Sequence, residues 1–369
     1  MDGFGAHGMT IIFIWTGATS YMAACWRELA KKSGVRLKVF VEVKRDGTTG
    51  YAHREVLQGL DYSLTYEGEP WDRDEFRREV AALSPDVLVV LGWRCGKCRF
   101  VAMDPAFASV PKLFTFDMTF AFTPRKIAAR FVLWPYLRRF AGAVVPSEAS
   151  LCYARYLGFA ASRVSRGLIG LDTERFGRAG DARKRLAAYP RRFLYVGRYT
   201  REKRMDVLLD AYRRYRSKVT EPWGLTCCGM GPHAGMLHHD EGVEDKGFVQ
   251  PAELPGLYAA HGAFVIASEY DPWPLVIAEA VASGLPVVCT EACGSHADFV
   301  RPRLNGIVCP TNHVNKIADA MCWMHENERN LAEMGEQGKG FVAPFSKEQW
   351  ASEWVARCQG VCQTSRGGG

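Results

Sequence analysis

Short apolar runs alternate with amphipathic stretches along most of the chain, and this alternation strongly limits the folds open to it. Ten runs have the length and the apolar content of buried strands, and each is followed by helical periodicity. The ten runs are 10–15, 37–43, 86–91, 113–116, 143–145, 193–196, 225–228, 263–267, 286–289 and 307–309. Strands that alternate with helices form parallel sheets covered by helices. The sequence therefore predicts an α/β fold with two parallel sheets.

The chain has 369 residues, which exceeds the ~250–300 residues that one core usually supports. We place the break in the charged, turn-rich stretch 176–192, which predicts an N-terminal domain over 1–185 and a C-terminal domain over 190–345. Trp350, Trp354 and Val355 then recur at helical spacing. They predict a closing helix over 346–363 that packs back on the N-terminal domain, followed by a flexible polar tail over 364–369.

Composition points to an ordinary globular protein, with 48% hydrophobic and 24% charged residues. The first apolar run is too short to cross a bilayer and no basic residue precedes it, so we expect neither a signal peptide nor a transmembrane helix. Twelve cysteines are present, and several lie inside apolar strand and helix patterns, as Cys289, Cys309 and Cys322 do. This pattern favours a reducing compartment and predicts a cytoplasmic protein.

The net charge of +7 comes from one segment, because residues 121–170 carry eight basic side chains and one acidic side chain. A local basic block predicts an anionic membrane surface or a phosphorylated substrate as partner, and argues against nucleic acid. The apolar run 131–137 lies inside this block, with arginines at both ends. It predicts either peripheral contact with a membrane surface or a buried helix kinked at Pro135.

The clearest chemical signal is the segment 268–282. A buried strand ends there in a polar loop, and a helix then begins, with Pro274 as its predicted first residue. The amides of Leu275 and Val276 would point at an anion, because ligands bind at the carboxyl ends of parallel strands and helix N-termini attract phosphate. Asp271 and Glu279 could line the same pocket. The alternative is an ordinary cap with one exposed glutamate.

A second signal follows the strand at 193–196. Gly197 lets the backbone approach a ligand, and Arg198 and Lys203 place two positive charges at the carboxyl end of that strand. A diphosphate leaving group would need those charges, since its negative charge grows as the bond breaks. The alternative is a basic helix start that binds nothing.

These segments together resemble a known family. The runs VGRYTREKRMDVLLDAYRR, CCGMGP and SEYDPWPLVIAEAVASGLPVVCT resemble the C-terminal domain of glycosyltransferase family 4. Weaker similarity covers VVPSEASLCYARYLGF and GLDTERF in the N-terminal half. The family consists of retaining enzymes of the GT-B fold. The resemblance thus implies two Rossmann-like parallel-sheet domains that face a central cleft.

The resemblance also implies roles for individual residues in the C-terminal domain. Arg198 and Lys203 match the pair that grips the donor diphosphate. Asp271 and Glu279 match the two acidic ends of the family's Glu-x7-Glu motif, near the transferred sugar and near the nucleotide ribose. Asp271 departs from the pattern, because the family has glutamate there.

Three glycines and one aspartate complete the site that the resemblance implies. Gly229 and Gly231 match a loop beside the nucleotide base, with a plain tight turn as the alternative. Gly17 matches the glycine-rich first loop, where a helix cap by Thr19 or Ser20 is the alternative. The family often has a histidine at the end of a later strand in the N-terminal domain. Asp117 takes that place here and is our catalytic candidate there, with a buried turn aspartate as the alternative.

Three other patterns point elsewhere and are set aside. Gly229-x-Gly231-x-x-Ala234 matches the dinucleotide fingerprint, but Pro232 would interrupt a phosphate cradle. Cys95 and Cys98 have metal-ligand spacing without a second pair. Asp72-x-Asp74 matches a metal-binding motif of the other glycosyltransferase fold, yet it fits a helix N-cap better.

The function implied is retaining transfer of a sugar from a nucleotide diphosphate sugar to a glycan or lipid-linked acceptor, without metal and with no cofactor beyond the donor. Arg198, Lys203 and the helix start at Leu275 would stabilise the departing diphosphate. Two alternatives remain open: a nucleotide-sugar epimerase of the same architecture, and a catalytically silent nucleotide-sugar-binding protein.

Overall fold

The structure, a computed structural model, describes residues 8–44, 53–120 and 123–366. The chain divides into two compact units. Unit 1 comprises Met1–Gly170 and Lys347–Gly369, and unit 2 comprises Leu171–Ser346.

Unit 1 contains a parallel sheet of seven strands in the described part of the chain, in the order β3-β2-β1-β4-β5-β6-β7. Its elements before the chain enters unit 2 are β1 (Met9–Thr16), α1 (Ser20–Ala30), β2 (Val35–Val43), α2 (His53–Leu57), β3 (Tyr62–Tyr66), α3 (Arg73–Ala82), β4 (Val87–Leu91), α4 (Gly96–Met103), β5 (Lys112–Thr115), α5 (Pro124–Val132), α6 (Trp134–Leu137), β6 (Gly142–Val145), α7 (Glu148–Tyr156) and β7 (Val164–Arg166).

Strand β1 lies in the interior of this sheet and is buried on both faces. Successive strand residues point to opposite faces, so Ile11 and Phe13 enter one hydrophobic cluster and Ile12 and Ile14 enter the other. A continuous apolar run is the pattern expected of such a strand.

Unit 2 contains a parallel sheet of six strands in its described residues, in the order β10-β9-β8-β11-β12-β13. Its elements are α8 (Thr173–Lys184), β8 (Arg192–Val196), α9 (Met205–Arg216), β9 (Gly224–Cys228), β10 (Val243–Asp245), α10 (Leu254–Ala259), β11 (Ala263–Ile266), α11 (Leu275–Ala282), β12 (Val287–Thr290), α12 (His296–Phe299), β13 (Gly306–Cys309), α13 (Val314–Glu326) and α14 (Glu328–Val342).

The last helix, α15 (Lys347–Arg366), belongs to unit 1 and packs on α1. The ring of Trp354 lies 5.3 Å from that of Phe13. The indole nitrogens of Trp350 and Trp354 donate to the carbonyls of Leu168 and Gly167, each at 3.0 Å. Two buried indoles with satisfied N–H groups thus anchor the end of the chain on the first sheet.

The boundary between the units differs from the one the sequence suggested. The predicted domains were 1–185 and 190–345, but the division falls at Gly170 and Leu171. The stretch 176–192, in which we placed the break, includes most of α8, whose first turn is capped by Asp172 through a bond from the Arg175 amide at 3.3 Å. Buried Arg183 donates to the carbonyls of Tyr258 and Ser283 at 3.0 and 2.6 Å. An arginine is expected at the surface from sequence, but here its buried guanidinium holds α8 on the rest of unit 2.

Each of the ten predicted apolar runs overlaps a strand, which confirms the two parallel sheets. The three strands missed, β3, β7 and β10, are short and only partly buried, so they lack a continuous apolar run. The predicted tail over 364–369 is wrong at its start, because α15 continues to Arg366; residues 367–369 lie outside the described part. Among the described residues, no helix is both long and apolar enough to cross a membrane.

Candidate functional site

The site in unit 2 lies at the carboxyl edge of its sheet, between β8 and β11. From β8 the chain adds β9 and β10 on one side, and from β11 it adds β12 and β13 on the other. Such a reversal of strand order opens a crevice in which α/β proteins bind ligands. The predicted donor residues follow β8, β9 and β11, so the topology brings them to one edge.

The loops after β8 and β9 contact each other backbone to backbone. The amide of Tyr199 donates to the carbonyl of Met230 at 2.9 Å, and the amide of Gly197 donates to that of Cys228 at 3.0 Å. A Cβ at Gly229 would overlap the carbonyl oxygen of Gly197, and Gly231 has a φ of +154°. Close packing of the two loops explains both glycines. Their contact with a nucleotide base remains a prediction.

Lys203 and Asp271 form an ion pair between the loops that follow β8 and β11. Their side chains are only 12% and 13% exposed, so water screens the pair weakly. Arg198 lies closer to solvent, at 66% exposure, and pairs with Glu202 at 3.2 Å. The structure thus brings the predicted lysine and aspartate into contact, while the predicted arginine contacts another acid.

Helix α11 begins at this edge, directly after the Asp271 loop. Pro274 is its N-cap and lies outside the helix, whereas we predicted it as the first helical residue. Proline has no side-chain acceptor to cap the first amides. The Ser295 hydroxyl donates a hydrogen bond to the Pro274 carbonyl at 2.9 Å. The amides of Leu275 and Val276 therefore open the helix at its positive end, where an anion is favoured.

Glu279 lies one turn into α11 and is buried, so the alternative of an exposed glutamate is wrong. Its Oε2 accepts a bond from the Tyr258 hydroxyl at 3.0 Å. Burial raises the pKa of Glu279 to about 7, which is far above its ordinary value. A carboxyl group with a pKa in this range changes charge near neutral pH.

Sequence reasoning missed Arg204 and Glu269, which brace the same loops. Arg204 has a φ of +51° and donates to Glu269 at 2.7 Å and to Asp206 at 2.8 Å. The Glu269 amide in turn donates to the Glu202 carbonyl at 2.9 Å. These hydrogen-bonded ion pairs raise the pKa of the Arg204 guanidinium above its ordinary value, which is already high. No sequence pattern indicates that an arginine has a left-handed backbone. Glu269, in contrast, lies within the segment 268–282 that the sequence analysis singled out.

Unit 1 has a pocket of about 390 Å³ at the corresponding place in its own sheet. The strand order reverses between β1 and β4, and the pocket is lined by residues that follow β1, β4 and β5. Among them are Trp15, Thr19, Trp93 and Asp117. Asp117 is exposed, and the Ser150 hydroxyl donates to its carbonyl at 3.3 Å. The structure thus places the catalytic candidate of unit 1 in a pocket.

The first loop of unit 1 contains Gly17, whose φ is +81°. Its amide donates to the Glu42 carbonyl at 2.9 Å. The left-handed backbone accounts for the glycine. Thr19 occupies the N-cap of α1, but its side chain makes no capping bond. A role for Gly17 at the donor remains a prediction.

The motifs set aside take ordinary structural places. Asp72 caps α3 through a bond from the Glu75 amide at 2.7 Å, as expected. Cys98 is buried beside Cys95 at the start of α4. Within the described ranges, no three histidine, cysteine, aspartate or glutamate side chains cluster as a metal site would require.

Two Rossmann-like parallel sheets of this order are the architecture of the GT-B fold. Solved structures confirm that fold. The Anabaena protein HepE in complex with UDP has a TM-score of 0.74 at 17% identity and covers 95% of this chain and 100% of its own. Sucrose-phosphate synthase of Thermosynechococcus elongatus has a TM-score of 0.74 at 19% identity. The match covers 96% of this chain and 100% of that protein's chain.

A narrower similarity concerns the C-terminal part of the chain. Residues 181–341 match the family described as "Glycosyl transferases group 1". An uncharacterised glycosyltransferase of Methanocaldococcus jannaschii is 31% identical over 136 residues, 35% of this chain and 33% of that protein. Mannosylfructose-phosphate synthase of Agrobacterium fabrum is 29% identical over 162 residues, 36% of this chain and 35% of that protein.

An uncharacterised glycosyltransferase of Haemophilus influenzae is 23% identical over 166 residues, 44% of this chain and 47% of that protein. The chain thus spans less than half the length of these relatives. The predicted resemblance to glycosyltransferases is confirmed. The narrower assignment to family 4 remains a prediction.

Proposed function

We propose that the chain is a retaining glycosyltransferase that binds a nucleotide diphosphate sugar on unit 2 and transfers the sugar to a glycan or lipid-linked acceptor. One observation carries the proposal: a poorly exposed ion pair joins Lys203, on the loop after β8, to Asp271, on the loop that leads into the N-terminus of α11. A cation and a helix N-terminus together form a site for a diphosphate.

The chemistry proposed needs charge stabilisation more than a protein base. As the bond between the sugar C1 and the diphosphate oxygen breaks, the electron pair stays on the diphosphate. Lys203, Arg198 and the amides at Leu275 and Val276 stabilise this growing charge. The acceptor oxygen forms the new bond to C1 on the same face, and its proton passes to the departing phosphate oxygen.

Two acidic residues hold the rest of the donor in this proposal. Glu279 accepts hydrogen bonds from the ribose hydroxyls while Tyr258 keeps its carboxyl group in place. Asp271 lies nearer the transferred sugar. Its side chain is one methylene shorter than that of glutamate, and its carboxylate pairs with Lys203 in the structure.

The acceptor takes the pocket of unit 1 in this proposal, where Asp117 is the candidate catalytic contact. No metal takes part, since cationic side chains and helix amides neutralise the diphosphate. We also propose that the protein works in the cytoplasm, because cysteines such as Cys289 and Cys309 are buried as core residues.

A donor panel tests the proposal. Thermal unfolding is measured with UDP-, GDP- and ADP-sugars, since a ligand that binds only the native state raises the free energy of unfolding by about 2.7 kcal/mol at 100 times its Kd. One donor class should raise the melting temperature of the wild type. Lys203→Ala should lose most of this rise, and Lys218→Ala, which breaks an exposed pair with Asp319, should keep it. No rise with any donor would overturn the proposal.

A further inference from the structure

Helix α5 turns its apolar side outward. Phe131 and Val132 are each 73% exposed, and Ile127, one turn before Phe131, is exposed as well. None of the residues of α5 is buried. Surface helices normally direct their apolar stripe at the core. This helix does the reverse, so its outer side suits an apolar environment.

Contacts on the inner side of α5 explain the reversal. The Lys126 ammonium lies 6.0 Å from the ring centre of Tyr153, and the Arg130 guanidinium lies 5.8 Å from that of Tyr156. The Tyr156 hydroxyl donates to the Ile127 carbonyl at 2.9 Å. Cationic side chains of α5 thus contact the aromatic rings of α7. This arrangement leaves the apolar side chains to solvent.

The exposed apolar surface continues onto α6. Trp134 is 53% exposed. Its ring also contacts the turn after α7, since a Cβ at Gly158 would lie 3.5 Å from it. We call Ile127, Phe131, Val132 and Trp134 the α5–α6 patch. A tryptophan fixed along one edge and exposed along the other suits a boundary between water and an apolar phase.

The charges around the patch indicate what covers it. Arg125 precedes the apolar side chains, and Arg138 and Arg139 follow them, all three exposed. The segment 121–170 has eight basic residues, and Glu148 is its one acidic residue. A twofold contact with a second copy would bring these arginines against one another. An acidic surface would pair with them.

We propose that the α5–α6 patch docks the chain on an anionic lipid surface. Phe131, Val132 and Trp134 enter the boundary between headgroups and acyl chains, and the arginines beside them contact lipid phosphates. This inference goes beyond the proposed function and does not depend on it. Lipid binding and sugar transfer can be measured separately.

Co-sedimentation of the full chain with vesicles tests the docking. The vesicles are phosphatidylcholine alone or phosphatidylcholine with phosphatidylglycerol, and the fraction of pelleted protein is measured at low and high salt. The wild type should pellet with the anionic vesicles and be released by salt, because screening shortens electrostatic reach to ~8 Å at 0.15 M. Each arginine removed, as in Arg138→Gln, should weaken binding about fivefold, which corresponds to ~1 kcal/mol per basic residue near such a surface.

Matched variants separate docking through the patch from nonspecific adsorption to vesicles. Phe131→Ser with Val132→Ser should abolish pelleting, whereas Leu186→Ser, at an exposed leucine outside the patch, should not change it. Arg36→Gln, in the same unit but outside the patch, should bind as the wild type does. Thermal unfolding confirms that each variant is folded.

Several outcomes would overturn the inference. They are equal recovery in the supernatant with both vesicle types, unchanged pelleting of the Phe131→Ser and Val132→Ser variant, and a salt-independent pellet. Sedimentation velocity adds one more. If the wild type is a dimer that these substitutions dissociate, the patch is a contact between copies and not a lipid surface.

Discussion

Replacing Lys203 with alanine should remove catalysis while the protein stays folded. Lys203 is 12% exposed and pairs with Asp271, so its ammonium lies in a poorly screened place where charge interactions are strong. Removing one stabiliser of a developing anion typically costs about 2.7–4 kcal/mol, or ~100- to 1,000-fold in kcat. We expect a loss of this size in kcat/KM from initial rates of nucleoside diphosphate release.

The same substitution also leaves Asp271 without its cation, and this second effect must be separated. Loss of a hydrogen bond to a charged group costs roughly 1.5–3 kcal/mol of stability, so thermal unfolding should shift by a few degrees. Adding Asp271→Asn removes the unpaired charge. The double variant should regain stability but not activity, because the diphosphate still lacks its cation and the transferred sugar has lost the Asp271 carboxylate.

A double variant that recovers near-wild-type rates would refute this reasoning, since Lys203 would then serve only to neutralise Asp271. Lys218→Ala is the matched control, because Lys218 also pairs with an aspartate of unit 2 but at the surface. It should leave kcat/KM unchanged.

Three further predictions concern the same site. Arg198→Ala should lower kcat/KM less than Lys203→Ala does, because Arg198 is mostly exposed. The loss should correspond to about 2 kcal/mol of transition-state stabilisation. Initial rates check this, and equal losses in the two variants would contradict it. Activity should survive EDTA, and a loss that Mn²⁺ or Mg²⁺ restores would revive Asp72 and Asp74 as ligands. Glu279, whose pKa is about 7, should bind donor more tightly as pH rises through that value, because the carboxylate is the better acceptor. The free protein should lose stability as pH rises from the unfolded pKa of ~4.3 to the folded value of about 7, and no further above it, because the native state keeps the proton over that interval. Calorimetry of Glu279→Gln should show neither trend.

The sequence predicted the interior strands well because a strand buried on both faces must be apolar throughout, as β1 and β11 are. The edge strand β10 reads Val-Glu-Asp and is held by pairing with β9, which sequence periodicity does not report. The predicted position of the boundary between the units was wrong for a similar reason. Arg183 counts as a surface charge in sequence, but its guanidinium satisfies buried carbonyls of unit 2.

Within the site, the residues near one loop were predictable and their partners were not. Asp271, Leu275 and Glu279 lie in one strand-loop-helix segment, so local pattern was enough to find them. Tyr258, which holds Glu279, comes from α10, and Arg204 has a left-handed backbone. Such contacts depend on how distant elements pack, and no spacing rule reveals them.

We propose above all that the chain moves a sugar from a nucleotide diphosphate donor with retention of configuration. Proton NMR of the wild type with an α-linked donor and a glycan or lipid-linked acceptor follows the anomeric signals directly. Our account predicts that the donor signal decays, that an equal amount of nucleoside diphosphate appears, and that the first product signal has the α configuration. Three results would contradict it: a β product, an isomerised nucleotide sugar of the epimerase type, and a bound donor that persists unchanged with every acceptor tried.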